Sequence, residues 1–309
     1  MPLAVTPLIF DRPLVRARRR RALGLGPETF LVDRVAEEFA DRLKAVLRRF
    51  DVAADLGTPT GAVRAALARN GGIATMIAVD PLIEATPELA ADNASAPPLG
   101  VAADEEALPF AAGSLDLVVS GLALQAVNDL PGVLVQIRRA LKPDGLFLAA
   151  LLGGDTLTEL RQSFAAAESE CEGGASPRVA PFPDVRDMGM LLQRAGFALP
   201  VADVDRVAVR YPTSLALLHD LRRMGAANPL VERRRAPLRR ATLMRAMDIY
   251  ATRFAGPDGK VRASFDIIWL SGWAPHESQQ QPLRPGSAKT RLADALGTVE
   301  IGIGEKPER

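Results

Sequence analysis

Short apolar runs that alternate with helical patterns between residues 51 and 153 constrain the fold most strongly. The helical patterns GAVRAALARN and PGVLVQIRRAL follow two of these runs. Strands that alternate with helices predict right-handed crossovers, and hence an α/β fold whose parallel sheet carries helices on both faces. The predicted strands cover residues 51–56, 75–80, 99–104, 115–121 and 145–152.

The flanking segments differ in character from this core. An N-terminal helical extension is predicted over residues 1–50, with an amphipathic helix at 28–50. The main domain is predicted to span 51–275, with a basic helical insertion at 213–255 before the last strand, and a polar, loosely ordered tail follows at 276–309. Thr156 and Glu159 predict a capping box at a helix start.

Composition excludes several classes of function. Lys and Arg number 38 against 37 Asp and Glu, and aromatic residues make up 5%, so we expect no nucleic-acid partner. The single cysteine, Cys171, excludes an internal disulfide, and with only His219 and His276 beside it we expect no metal site. No apolar run is long enough to span a bilayer, and no secretory signal is evident. We therefore expect a cytoplasmic protein, held at the inner membrane only through a partner.

The charges are segregated along the chain. No Lys or Arg occurs from Asn70 to Ile137, whereas basic residues gather in 12–21 and 232–245. The acidic region suits a cationic ligand, or it is simply a soluble face. The arginines at 233–235, 239 and 240 either dock an acidic partner or form a solvated helix face.

The stretch DLGTPTG, residues 55–61, lies at the first predicted strand-to-helix turn. A dinucleotide loop reads G-x-G-x-x-G, whereas here Asp55 precedes Gly57 and Gly61. A carboxylate at this place repels a pyrophosphate and suits an ammonium or sulfonium group. Asp80 ends the second strand, where an acid can hold ribose hydroxyls, and Asp104 ends the third, where it can accept from an adenine amino group.

An adenosine with a cationic tail describes S-adenosylmethionine, which we predict as the cofactor. No metal is predicted. The predicted cofactor-binding residues are Asp55, Gly57, Thr58, Gly61, Asp80, Pro81, Asp104, Glu105 and Ser120.

The segments ADLGTPTG, IAVDP and ADEEALPFAAGSLDLVVSG resemble the class I S-adenosylmethionine-dependent methyltransferases, including the malonyl-carrier-protein O-methyltransferase group. IFDRPLVRARRRRAL, GGDTLTELR and WAPHESQQ resemble the mitochondrial complex I assembly-factor family with a methyltransferase fold, a resemblance that covers nearly the whole chain. The resemblance implies a Rossmann-like, seven-stranded, mostly parallel sheet and a role in maturing a quinone-site subunit of complex I. It also implies arginine hydroxylation in place of methylation.

The sequence departs from the methyltransferase pattern at two places. Thr58 and Pro59 replace the Cys-Gly of D-L-G-C-G-x-G, and Gln125 and Ala126 replace the His-Trp of L-H-W-V-x-D. Proline has no N–H to donate, so we expect cofactor affinity to fall roughly three- to tenfold. We expect Pro59 on the outer side of the turn, with Gly57 and Gly61 facing the ligand.

These features support a cofactor-binding, methyltransferase-like enzyme that modifies a protein partner in complex I assembly, by methyl transfer or arginine hydroxylation. One alternative is an O-methyltransferase of a small or carrier-bound acid such as a malonyl thioester. Another is a non-catalytic assembly chaperone with a degenerate cofactor loop. No catalytic residue can be named, and the predicted substrate-side residues are Gln125, Asp155, Thr156 and His276.

Overall fold

The computed structural model describes residues 8–70, 72–83, 99–280 and 292–298. Of these, the residues up to Pro275 form one compact unit, and those from His276 onward form a second. The strands are β1 (Phe50–Leu56), β2 (Ile73–Val79), β3 (Leu99–Val101), β4 (Leu115–Gly121), β5 (Leu141–Gly153), β6 (Ala198–Tyr211) and β7 (Val261–Trp273).

The seven strands form one sheet in the order β3-β2-β1-β4-β5-β7-β6. β7 is antiparallel to both of its neighbours, and the other neighbouring strands are parallel. The predicted Rossmann-like, mostly parallel seven-stranded sheet is therefore confirmed.

The helices are α1 (Arg12–Gly24), α2 (Phe30–Lys44), α3 (Ala62–Asn70), α4 (Leu130–Ala140), α5 (Thr158–Glu172), α6 (Val185–Arg194), α7 (Ser214–Arg223), α8 (Arg240–Phe254) and α9 (Leu292–Leu296). α7 and α8 lie between β6 and β7 in the chain, and α9 belongs to the second unit. None of the helices in the described ranges has the length and apolar character that crossing a membrane requires.

Apolar side chains cover both faces of the sheet. All seven residues of β4 are buried, as the near-continuous apolar run of a central strand requires. Leu117 and Val119 pack on the side of α2, α3, α5 and α8, whereas Leu115 and Val118 pack on the side of α4 and α6. Leu117, Val118 and Val119 alternate between the faces because successive side chains point to opposite sides, and a register irregularity between Leu115 and Leu117 places Leu115 on the same face as Val118.

Parallel pairing brings the loops after β1, β2, β3 and β4 to one edge of the sheet. Gly57 N–H donates to Val79 O at 2.7 Å, and Asp80 N–H donates to Val101 O at 3.1 Å. Ligands of open α/β sheets bind at the carboxyl ends of the strands. The predicted cofactor residues are therefore arranged along this edge.

Two local predictions are wrong. The helix expected over 28–50 ends at Lys44, because Phe50 is buried in the core and its N–H donates to Gly72 O at 2.6 Å as β1 begins. The capping box of Thr156 and Glu159 does not form. Leu157 precedes α5 with φ of 54°, and no described side chain caps the helix start.

Candidate functional site

Gly57 allows the loop after β1 to lie close against its neighbours. Its φ is 68°, in the left-handed region that glycine adopts without cost. A Cβ at this position would lie 2.6 Å from Glu105 Oε1 and 3.0 Å from Ala123 Cβ. Only glycine therefore fits here, and backbone approach of this kind is typical of a nucleotide-binding turn.

The hydroxyl groups of Thr58 and Ser120 hold the loop after β1 in place through hydrogen bonds. The Thr58 hydroxyl donates to Asp55 Oδ1 and accepts from Gly121 N–H at 3.0 Å. The Ser120 hydroxyl donates to Leu56 O at 2.7 Å. All of these side chains are buried, so Thr58 and Ser120 shape the turn from beneath.

Asp55 is a buried carboxylate at the end of β1, with 3% of its surface exposed. Burial raises its pKa to about 6, although the charge of Arg64 and the hydrogen bond from Thr58 work against the shift. Arg64 is itself buried, and none of its guanidinium nitrogens has a hydrogen-bond partner among the described residues. The charge state of Asp55 therefore changes close to neutral pH.

Asp80 directly follows β2, whereas β3 ends at Val101 and not at Asp104 as predicted, and each of the two acids uses one carboxylate oxygen in a turn. Asp80 Oδ1 accepts from Leu82 N–H at 2.7 Å, and Pro81 lies between them in the turn. Asp104 Oδ1 accepts from Glu106 N–H at 3.0 Å. Burial would raise the pKa of Asp104, but this hydrogen bond and the charge of Arg12 lower it below its usual value.

Three arginines of α1 occupy the remaining carboxylate oxygens. Arg19 Nη2 lies 2.5 Å from Asp80 Oδ2, and its Nη1 lies 3.7 Å from Glu105 Oε1. Arg12 donates to Asp104 Oδ1 at 2.7 Å and to Glu105, and Arg16 donates to Asp104. The prediction from the residues missed these contacts. The segregation of charge predicted that the acidic region would bind a cationic ligand. In the structure, guanidinium groups of α1 take that place.

Between α1 and the loop lies a cavity of about 130 Å³. Gly57, Pro59 and Glu105 line it together with Arg12 and Arg19 of α1. Apolar walls complete it, and they include Leu31, Leu122, Leu152, Leu157, Phe182 and Phe265. Pro59 therefore faces the cavity, and the prediction that it lies on the outer side of the turn is wrong. Gly61 is not among the described residues that line the cavity, because it leads directly into α3.

The predicted substrate-side residues separate in the structure. Gln125 lines the cavity, and its Nε2 donates to Leu122 O at 2.7 Å. Thr156 is buried in the joint between β5 and β7, where it bonds Gly153 O and Asp266 N–H. Its hydroxyl is satisfied within the fold, and its assignment to a substrate remains a prediction.

Asp155 and His276 make local contacts. The exposed carboxylate of Asp155 pairs with Arg206 at 2.8 Å. His276 belongs to the second unit, where its Nδ1 lies 2.7 Å from Ser278 Oγ. The assignment of either residue to a substrate remains a prediction.

Of the five arginines at 233–235, 239 and 240, two form ion pairs within the chain. Arg233 pairs with Asp11 at 3.0 Å, and Arg234 pairs with Glu172. Arg235, Arg239 and Arg240 are exposed. Across the described ranges, no three His, Cys, Asp or Glu residues come together as a metal site would need.

A family model described as a methyltransferase domain matches residues 54–149, from β1 to β5. The human protein arginine-hydroxylase NDUFAF5, mitochondrial, is 42% identical over 297 residues, which cover 94% of this chain and 84% of the human protein. The zebrafish protein (Danio rerio) of the same name is 38% identical over 93% of this chain and 89% of its own length. The chain belongs to the NDUFAF5 family.

Other relatives share less of the chain. A malonyl-[acyl-carrier protein] O-methyltransferase of Laribacter hongkongensis is 41% identical over 193 residues, 62% of each chain. A crystal structure of a methyltransferase candidate from Bacillus halodurans superposes with a TM-score of 0.54 at 13% identity, over 77% of this chain and 98% of that one. This likeness shows the fold, that of a class I methyltransferase.

The expected cytoplasmic location is wrong. The NDUFAF5 relatives that match more than nine-tenths of this chain are named as mitochondrial proteins. The expectation rested on the lack of a recognisable signal, and such a lack says little about where a protein acts.

Proposed function

We propose that this member of the NDUFAF5 family binds S-adenosylmethionine and modifies an arginine side chain of a partner protein during assembly of respiratory complex I. The observation that carries the proposal is the extent of the likeness to the arginine hydroxylases. The alignment with the human protein covers 94% of this chain, so it extends far beyond the methyltransferase domain at residues 54–149. A quinone-site subunit of complex I is the proposed partner.

The residues at the sheet edge fit the proposed cofactor. Gly57 provides the close backbone approach, since a Cβ there would meet Glu105. Asp80 follows β2 and is suited to accept from ribose hydroxyls, and Asp104 follows β3 and is suited to an adenine amino group. When bound, S-adenosylmethionine would supply an activated methyl group for methylation, whereas hydroxylation would in addition require dioxygen and a two-electron reductant. The chain's own part is to bind and orient the two reactants.

Modification of a carrier-bound acid is less well supported. The likeness to the malonyl methyltransferase of Laribacter hongkongensis covers 62% of the chain.

A second candidate is an assembly chaperone without catalysis. This candidate is favoured by the arginines of α1, because they occupy the carboxylates that are predicted to bind the cofactor.

Mass spectrometry of purified complex I subunits tests the proposal. In cells that lack this chain, one arginine of a complex I subunit should be lighter by one oxygen atom if the modification is hydroxylation, or by one CH2 unit if it is methylation. The wild-type chain should restore the mass and Asp80→Asn should not. Asp258→Asn removes an exposed carboxylate that pairs with Arg210, and serves as the control. If complex I assembles only with the chain present and no subunit changes in mass, the chaperone is correct and the proposed modification is wrong.

A further inference from the structure

The arginines of α1 hold the carboxylates that the proposed cofactor requires. We propose that α1 is an intramolecular competitor of S-adenosylmethionine, which binds only after Arg19, Arg12 and Arg16 release Asp80, Asp104 and Glu105. The inference rests on the proposed function, because it assumes that the cofactor binds at this edge. It makes α1 an autoinhibitory element of the fold.

Both carboxylate oxygens of Asp80 and of Asp104 already accept hydrogen bonds. Asp80 accepts from Leu82 N–H on one oxygen and from Arg19 on the other. Asp104 accepts from Arg12 and Glu106 N–H on one oxygen and from Arg16 on the other. A ribose hydroxyl or an adenine amino group that approaches either carboxylate would therefore compete with a guanidinium that already lies against it.

Two of these ion pairs are shielded from water, whereas that of Arg16 with Asp104 is partly exposed. The side chains of Arg19 and Asp80 are 16% and 4% exposed, and those of Arg12 and Glu105 are 11% and 3% exposed. Salt screens buried pairs much less than surface pairs. A carboxylate that loses its partner while buried is costly, so the arginines leave most readily when another donor replaces them.

The space at the edge is too small while α1 stays in place. The cavity has a volume of about 130 Å³, below the roughly 300–1,000 Å³ typical of small-molecule pockets. Arg12, Val15 and Arg19 form its α1 wall. Movement of α1 would therefore both free the carboxylates and enlarge the cavity.

The chain holds α1 at the edge from the side of the insertion. Asp11 N–H donates to Pro229 O at 2.9 Å, and Arg18 donates to Ala227 O at 2.8 Å. The link from α1 to α2 contains Gly26, whose φ is 75°. A Cβ built on Gly26 would have no described atom within 4 Å. Release of α1 would also have to break the hydrogen bond from Arg223 Nε to Gly26 O at 2.8 Å, which ties this link to α7.

Titration of the full-length chain with S-adenosylhomocysteine tests the competition, since this probe carries the adenosine without the sulfonium charge. Affinity is reduced by the fraction of molecules that are closed, so weakening the closed state must tighten binding. We expect Arg19→Ala, and the double variant Arg12→Ala/Arg16→Ala, to bind at least threefold more tightly than wild type. Arg20→Ala, an exposed arginine of the same helix, should leave affinity unchanged.

Trypsin cleavage of the wild-type chain gives a readout that does not depend on any variant's folding. Because coupling is reciprocal, S-adenosylhomocysteine should speed cleavage at Arg20 and Arg21 of α1. If wild type binds the probe but Arg19→Ala binds it equally or more weakly, the competition is wrong and the proposed cofactor site stands. If neither wild type nor any variant binds the probe at millimolar concentration, the proposed cofactor site and the competition are both wrong.

Discussion

At the residue scale, Gly57 combines a positive φ with a close approach that leaves no room for a side chain. Gly57→Ala should unfold the protein more easily than Gly113→Ala, in urea titrations that compare the two. Both glycines have positive φ, at 68° and 64°, and alanine in that region costs about 1–2 kcal/mol. Only at Gly57 does the added Cβ meet Glu105, whereas around Gly113 no described atom lies within 4 Å. Cofactor affinity should fall with Gly57→Ala alone, and equal affinity of the two variants would show that the loop does not contact the cofactor.

The buried carboxylate of Asp55 makes stability depend on pH. Burial raises its pKa in the folded chain to about 6, from the usual aspartate value of 3.8. The folded state therefore holds a proton that the unfolded state has lost between about pH 4 and 6, and stability due to this group falls as pH rises through that window. Asp55→Asn lacks this dependence. Urea unfolding should show wild type losing about 3 kcal/mol relative to Asp55→Asn from pH 4 to 7. A constant difference across that range would mean that Asp55 stays charged.

At the element scale, Thr156 joins β5 to β7. Its hydroxyl donates to Gly153 O at 2.7 Å and accepts from Asp266 N–H at 3.0 Å. Thr156→Val keeps the shape and leaves both buried groups without this partner, so it should cost about 2–4 kcal/mol in thermal or urea unfolding. Thr158→Val, which loses one bond of 3.4 Å at the start of α5, is the control. Unchanged stability combined with a loss of activity would return Thr156 to the substrate side.

The strands and their terminal acids could be predicted because they follow local patterns. The apolar run at 115–121 and the acids Asp80 and Asp104 depend on strand periodicity and on the edge where parallel strands end. The capping box failed because Glu159 instead accepts from Ser264, 105 residues later in the chain. The pairing of Arg19 with Asp80 was missed for the same reason, since 61 residues separate them and only tertiary packing brings them together.

At the scale of the whole molecule, four segments distant in sequence form one site. The loop after β1 supplies Gly57, the loops after β2 and β3 supply acids, and α1 covers them with arginines. Residues 227–233 of the insertion hold α1 in turn, through Ala227 and Pro229. The extensions outside the methyltransferase domain therefore control access to its cofactor edge in this account.

The most direct measurement for the central claim is calorimetric titration of S-adenosylmethionine into the full-length chain and into Asp80→Asn. The account predicts binding to wild type and a more than tenfold weaker affinity for Asp80→Asn, because a hydrogen bond to a charged group contributes roughly 1.5–3 kcal/mol. Asp258→Asn should bind as wild type does, since its carboxylate pairs with Arg210 at the surface. Absence of any binding to wild type at millimolar S-adenosylmethionine, or equal affinity of wild type and Asp80→Asn, would contradict the account.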